Sequence, residues 1–204
     1  MKMYYAEVLS PRKACAVAKY LNAPVEFVRL DLARREQQKP EYLVINASGK
    51  VPTLVDGERI VTEADAIMCY LSLQMGADLW PRDDARQLEI IGWFSWNAMH
   101  FGRAGGALYF ENIIKPRFGI GAPDPTVVDE ELGNFRRFAT VLNDHLRGRH
   151  WLAGDTLSVA DFSLAITLPY AAAAAMPLDE FPEMCRWHDQ LNAFEAWREP
   201  FPKR

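Results

Sequence analysis

The hydrophobic pattern changes character once along this chain, at residues 76–84, and that break constrains the fold more than any other feature. Before it, short β-rich runs alternate with stretches of helical spacing. Residues 3–8 carry Tyr4, Tyr5 and Val8 and read as a strand. Pro11 then suits the first turn of a helix that continues through residues 14–21. Asn22, Ala23 and Pro24 break that helix, and Val25 and Phe27 alternate with Glu26 and Arg29 in a second strand. Residues 33–45 read as weak helix or loop. Residues 51–55 and 59–61 flank Asp56-Gly57, a strong hairpin signal, and Ile67, Leu71 and Met75 then fall on one helical face. The order β-α-β-α-β-β-α predicts an α/β domain over residues 1–75, a small mixed sheet covered by helices.

After a linker at 76–85 that contains Pro81, every periodic segment is helical: 86–112, 129–146, 158–175 and 181–194, with a Gly/Pro-rich loop at 118–126. This is an all-α domain over 86–204. The two parts differ in chemistry. Residues 1–75 hold ten basic and nine acidic residues, a net +1, whereas residues 76–204 hold thirteen and eighteen, a net −5, together with all six tryptophans. Neither part has the basic excess that nucleic-acid binding requires. Three cysteines without CxxC spacing argue against a disulfide framework, and no His/Cys/Asp spacing suggests a metal. No apolar run reaches the length that spans a bilayer, and the N-terminus has no signal-peptide core. A cytoplasmic protein is expected.

Four places could carry chemistry. Ser10, at the end of strand one, reads either as a helix N-cap or as a hydroxyl facing a ligand thiolate. The Val51-Pro52 bond is trans on base rates; a cis bond would turn the Val51 backbone outward, free to pair with a peptide-like ligand. Thr62 can cap the helix that follows it, with Asp65 completing a capping box. The same helix start can instead hold a carboxylate, with Glu63 beside it for an ammonium. Trp93, Trp96 and His100 share one helix face and read as core or as the wall of an aromatic pocket, with Arg103, Tyr109 and Phe110 further along. Tyr5 and Cys15 compete with Ser10 for the thiol, although a strand tyrosine and a buried cysteine are the plainer readings.

Ser10-Pro11, the run from Asn46 through Gly49, Lys50, Val51, Pro52, Thr53 and Leu54, and Glu63-Ala64-Asp65-Ala66-Ile67 together resemble the thioredoxin-like domain of cytosolic glutathione S-transferases, of the bacterial type with serine at the thiol-facing position. Ser158, Val159, Ala160, Asp161 and Phe162 resemble that family's capping box and hydrophobic staple, and the resemblance runs from about Met1 to Trp197. It implies a cis Val51-Pro52 bond and an N-terminal glutathione site. Val51 would pair with the cysteinyl backbone, Glu63 and the Ala64 N–H would hold the γ-glutamyl end, and Lys50 with Lys39 or Gln38 would meet the glycyl carboxylate. Ser10 would face the thiol. Trp96, His100 and Arg103 would line a hydrophobic co-substrate site facing the first domain. A homodimer is implied, and no metal.

The chain departs from the family pattern at Ala64, which replaces a serine, at Ala47, which replaces a proline, and before Ser10, where a glycine is missing. The expected function is conjugation of glutathione to a hydrophobic electrophile. A non-catalytic interaction module, or a glutathione-dependent peroxidase or disulfide reductase, are the alternatives.

Overall fold

The computed structural model describes residues 1–203, which divide into two compact units: Met1–Pro81 joined by the closing segment from Phe194, and Arg82–Ala193. In the first unit, β1 (Lys2–Tyr5) leads into α1 (Leu9–Tyr20) and β2 (Glu26–Arg29). A 3-10 turn at Glu36–Gln38 and the single-turn α2 (Pro40–Leu43) follow. Then come β3 (Thr53–Asp56), β4 (Arg59–Thr62) and α3 (Ala64–Gln74). The strands lie in the order β2-β1-β3-β4, with β1 and β2 parallel and the other pairs antiparallel. A parallel pair needs a crossover helix, and α1 is that helix. Met3 and Tyr5 point to the face where Leu54, Ile67, Met68 and Leu71 are buried; Tyr4 points to the other face and meets Tyr42 edge-on at 5.5 Å. This is the thioredoxin-like βαβαββα order.

Two boundaries move. The hairpin closes with Asp56 opposite Arg59, so Gly57, at φ 59°, and Glu58 form the turn. Helix α1 begins at Leu9, two residues earlier than Pro11 suggests. Proline is tolerated there because first-turn N–H groups have no intrahelical acceptor.

The closing segment carries α10 (Glu195–Arg198) and belongs to the first unit, not to the helical one. The reason is packing on α1. Trp197 is fully buried, its carbonyl accepts from the Arg12 guanidinium, and that guanidinium lies 5.2 Å from its ring centre. Lys19 donates to the carbonyls of Glu199 and Phe201 at 2.6 and 3.0 Å, and Phe201 stacks on Tyr5.

The second unit starts with α4 (Asp84–Trp96), capped by the Asp83 carboxylate. It runs on as a π-turn at Asn97–Phe101, α5 (Gly102–Tyr109), a second π-turn at Phe110–Ile114 and α6 (Lys115–Phe118). The second widening stands directly before Pro116, whose ring and missing N–H an unbroken α-helix resists. The first presses Asn97 onto Gly102, where a Cβ would lie 2.6 Å from Asn97 Oδ1, so only glycine fits without a shift. Then follow α7 (Pro125–Leu146), α8 (Val159–Leu164) and α9 (Pro182–Asn192). The expected helix at 158–175 stops at Leu164; a 3-10 stretch at Ala165–Tyr170 contains Pro169.

The Ser158–Asp161 capping box is present and fully buried. Asp161 accepts from Leu152 N, Ser158 N, Ser158 Oγ and Trp187 Nε1, each at 2.9 to 3.0 Å. Burial pushes its carboxyl pKa up, and these four donors oppose that shift. Among the described residues no helix is long and apolar enough to cross a membrane.

Candidate active site

A pocket of about 310 Å³ in the first unit is lined by Ser10, Asn46, Lys50, Val51, Pro52 and Glu63. Ser10, Val51 with Pro52, and Glu63 come from three separate sequence predictions and Lys50 from the family resemblance, and the fold brings them together.

Ser10 lies inside the first turn of α1 and is exposed. It caps nothing: the N-cap position is Val8, without a side-chain hydrogen bond. Among the described residues the Ser10 hydroxyl has no hydrogen-bond partner, so it faces the pocket ready to donate. The open N–H groups of a three-turn helix add positive potential beside it.

The Val51-Pro52 bond is cis. Val51 precedes the ladder, which starts at Thr53, and among the described residues its N–H and C=O meet no partner. The loop is held from behind by residues that sequence reasoning gave no role. Tyr42 Oη and Asn46 Nδ2 both donate to the Lys50 carbonyl, and both meet Thr53 Oγ1, at 2.8 and 2.9 Å. Asn46 Oδ1 accepts from the backbone and hydroxyl of Ser48. Burial raises the Tyr42 phenol pKa above its ordinary value, which keeps it a neutral donor. Asn46 stood in the recognised run, but Tyr42 lies in a segment without periodicity and left no signal.

Glu63 is the N-cap residue of α3, at φ 64° and ψ 127°, a conformation that non-glycine residues rarely adopt. Its carboxylate is exposed and has no ion-pair partner among the described residues. The predicted capping box of Thr62 and Asp65 does not form. Thr62 ends β4 opposite Thr53, and Asp65 Oδ1 accepts from Lys13 Nζ at 2.6 Å. The first-turn N–H groups of α3, beginning at Ala64, therefore have no side-chain cap.

Lys50 is exposed on the rim. Lys39 is not brought to this pocket: it pairs with Glu36 at 3.4 Å and lines a second hollow with Tyr4, Leu30 and Tyr42. Gln38 is nearer, its amide 3.4 Å from the Gly49 carbonyl. Tyr5 is buried between Phe27 and Phe201. Cys15 is fully buried near Met3, and burial pushes its thiol up to about 12. Neither lines the pocket.

In the second unit, Trp93, Trp96, His100 and Phe138 form a chain of ring contacts 4.9 to 6.2 Å apart. His100 sits in the first π-turn and is exposed, while Arg103 reaches Glu131 at 3.4 Å. Trp93 also meets His145, whose Nε2 bonds the Leu152 carbonyl.

A mixed four-stranded sheet with an open peptide edge at a cis-proline, followed by a helical unit, defines a two-part thioredoxin-like protein. Comparison with known proteins narrows this class. Residues 3–72 match the family model for the N-terminal domain of glutathione S-transferase, and residues 103–195 that for its C-terminal domain. Glutathione S-transferase 3 of Zea mays is 31% identical over 205 residues, covering 95% of this chain and 90% of that protein. Glutathione S-transferase theta-2B of Homo sapiens is 27% identical, covering 95% and 81%. A structure of glutathione S-transferase-I bound with lactoylglutathione aligns over 98% of this chain and 97% of that one, with TM-score 0.89 and 27% identity. Glutathione S-transferase I from mais, in complex with an atrazine glutathione conjugate, aligns over 97% and 95%, with TM-score 0.86 and 25% identity. The chain belongs to the glutathione S-transferase family, and so to the transferases.

Proposed function

We propose that the Ser10 pocket binds glutathione in extended form and that Ser10 activates its thiol for transfer to a hydrophobic electrophile. The observation that carries this reading is the set of open groups in one pocket: a hydroxyl, a peptide edge and a carboxylate, none partnered among the described residues. Glutathione offers a thiol, a peptide and an ammonium in that order. Val51 adds the cysteinyl backbone as a short strand. Glu63 holds the ammonium, the N–H groups at the start of α3 hold the α-carboxylate of the γ-glutamyl residue, and Lys50 meets the glycyl end.

The bound thiol gives its proton to solvent and Ser10 donates a hydrogen bond to the resulting thiolate, whose sulfur lone pair then forms a bond to an electrophilic carbon while the leaving group departs with its electron pair. Lowering the thiol pKa by two units stabilises the thiolate by ~2.7 kcal/mol. Holding both reactants together supplies the rest of the rate. Within the second unit, the ring contacts of Trp96, His100 and Phe138 support an aromatic surface for a hydrophobic electrophile. The atrazine glutathione conjugate named for one related structure supports a glutathione thiol as the nucleophile. Ala64 removes one hydroxyl from the site of the γ-glutamyl α-carboxylate, at a cost of about 0.5–1.5 kcal/mol.

The protein-thiol version of disulfide exchange needs a protein thiolate, and Cys15, buried with its thiol pushed to about 12, does not supply one. Family membership supports a cytoplasmic protein, and the exposed Leu88, Ile91 and Met99 support pairing with a second copy. Calorimetry tests the site. Glutathione should bind the wild type, and Glu63→Gln should weaken binding at least tenfold, since a charge-assisted hydrogen bond contributes about 1.5–3 kcal/mol. No heat from the wild type at millimolar ligand would instead support a non-catalytic module.

A further inference from the structure

The two helices that wall the pocket are joined by a side-chain pair with no role in the reading above. Lys13 lies one turn after Ser10 on α1, with its side chain only 10% exposed, and its Nζ donates to Asp65 Oδ1 at 2.6 Å. Asp65 lies two residues after Glu63, in the first turn of α3, and its side chain is 31% exposed. An ammonium so far from water is costly unless its partner is well placed, so this position selects strongly for the pair. Asp65 is also a potential competitor for the start of its own helix. A carboxylate in the first turn of a helix is drawn to that helix's own N–H groups, and the sequence pattern anticipates such a capping box. Those are the groups that a ligand carboxylate needs, and Ala64 offers no hydroxyl to strengthen the ligand's claim.

We propose that Lys13 is a positioning and specificity residue: it draws the Asp65 carboxylate away from the N-terminus of α3 and neutralises it, leaving those N–H groups open to the γ-glutamyl carboxylate. The inference rests on the glutathione reading of the pocket. Its chemistry is a charge balance. With Lys13 present, the start of α3 attracts an anion; without it, Asp65 occupies the N–H groups and repels a second carboxylate. The side chain acts through Asp65 and touches no reacting atom.

Calorimetry with glutathione, and with its analogue carrying hydrogen in place of the γ-glutamyl α-carboxylate, tests this. Lys13→Met should raise the Kd for glutathione about tenfold and leave that for the analogue within about twofold, a split that loosened packing would not produce. Lys13→Arg should bind as the wild type. Adding Asp65→Asn to Lys13→Met should restore most of the lost affinity, because the competing charge is gone. Should Lys13→Met fail to fold, Asp65→Asn alone is decisive: it should bind glutathione as tightly as the wild type or more tightly. Equal glutathione affinity in folded Lys13→Met, no restoration in the double variant, or weakened binding by Asp65→Asn would each overturn the inference. Absence of glutathione binding by the wild type would overturn the pocket reading itself, and this inference with it.

Discussion

Ser10 and Asp161 are both small polar residues near helix starts, yet the fold uses them in opposite ways. Ser10 is exposed and uncommitted, whereas Asp161 satisfies four donors in a fully buried site. Replacing Asp161 by Ala removes a cap and strands buried N–H groups. The variant should lose about 2–4 kcal/mol of unfolding free energy in denaturant titration, with little change in glutathione affinity for molecules that remain folded. The capping pattern is legible in sequence for Asp161 because Ser158 stands three residues before it and the run resembles the family's capping box. It misled for Thr62 and Asp65, where the same spacing occurs but the strand claims Thr62 and Lys13 claims Asp65. Local spacing cannot register a competitor that arrives from another helix. The family resemblance implies Lys39 or Gln38 at the pocket, and Lys39 is instead held by Glu36, a partner in a turn without periodicity.

At the level of elements, α1 is gripped by the closing segment, and this grip had no sequence signature beyond one tryptophan. Trp197→Ala should cost about 3–5 kcal/mol by removing a fully buried indole. Thermal melts should show the loss, whereas an unchanged Tm would mean that α10 is not essential to the first unit. In the second unit, Glu111 ties the second π-turn to the start of α7, accepting from Lys115 Nζ at 2.6 Å and from Asp124 N at 2.7 Å. The Lys115 bond, and then the Asp124 bond, hold its carboxyl below the usual glutamate range. A carboxylate lowered on folding stabilises above its unfolded pKa, about 4.3, and that contribution is lost as pH falls through the folded value. Glu111→Gln should therefore flatten the acid limb of stability against pH; an unchanged limb would assign it to other carboxylates. Strand and helix order was legible here because period-2 and period-3.6 patterns are strong. The π-turns and the break at Pro169 were not, since both are responses to packing and to proline inside otherwise continuous helical spacing.

For the whole molecule, the sequence pattern divided the chain at its linker, and the structure divides it at Pro81 with the last residues returned to the first unit. That first unit carries a near-neutral pocket with one cation and one anion, Lys50 and Glu63, suited to a zwitterionic peptide. The exposed row on α4 predicts a dimer, to be seen as twice the chain mass in light scattering; replacing Leu88 and Ile91 by Asp should yield the monomer. The central claim is that Ser10 turns the thiol of bound glutathione into a thiolate. The ultraviolet absorbance of that thiolate, followed against pH in the wild type and in Ser10→Ala, tests it most directly. The account predicts that the bound thiol ionises about two pH units below a free thiol, near 8.5, and returns toward that value in Ser10→Ala while glutathione still binds. Ionisation at the free value in the wild type, or an unchanged profile in Ser10→Ala, would contradict it.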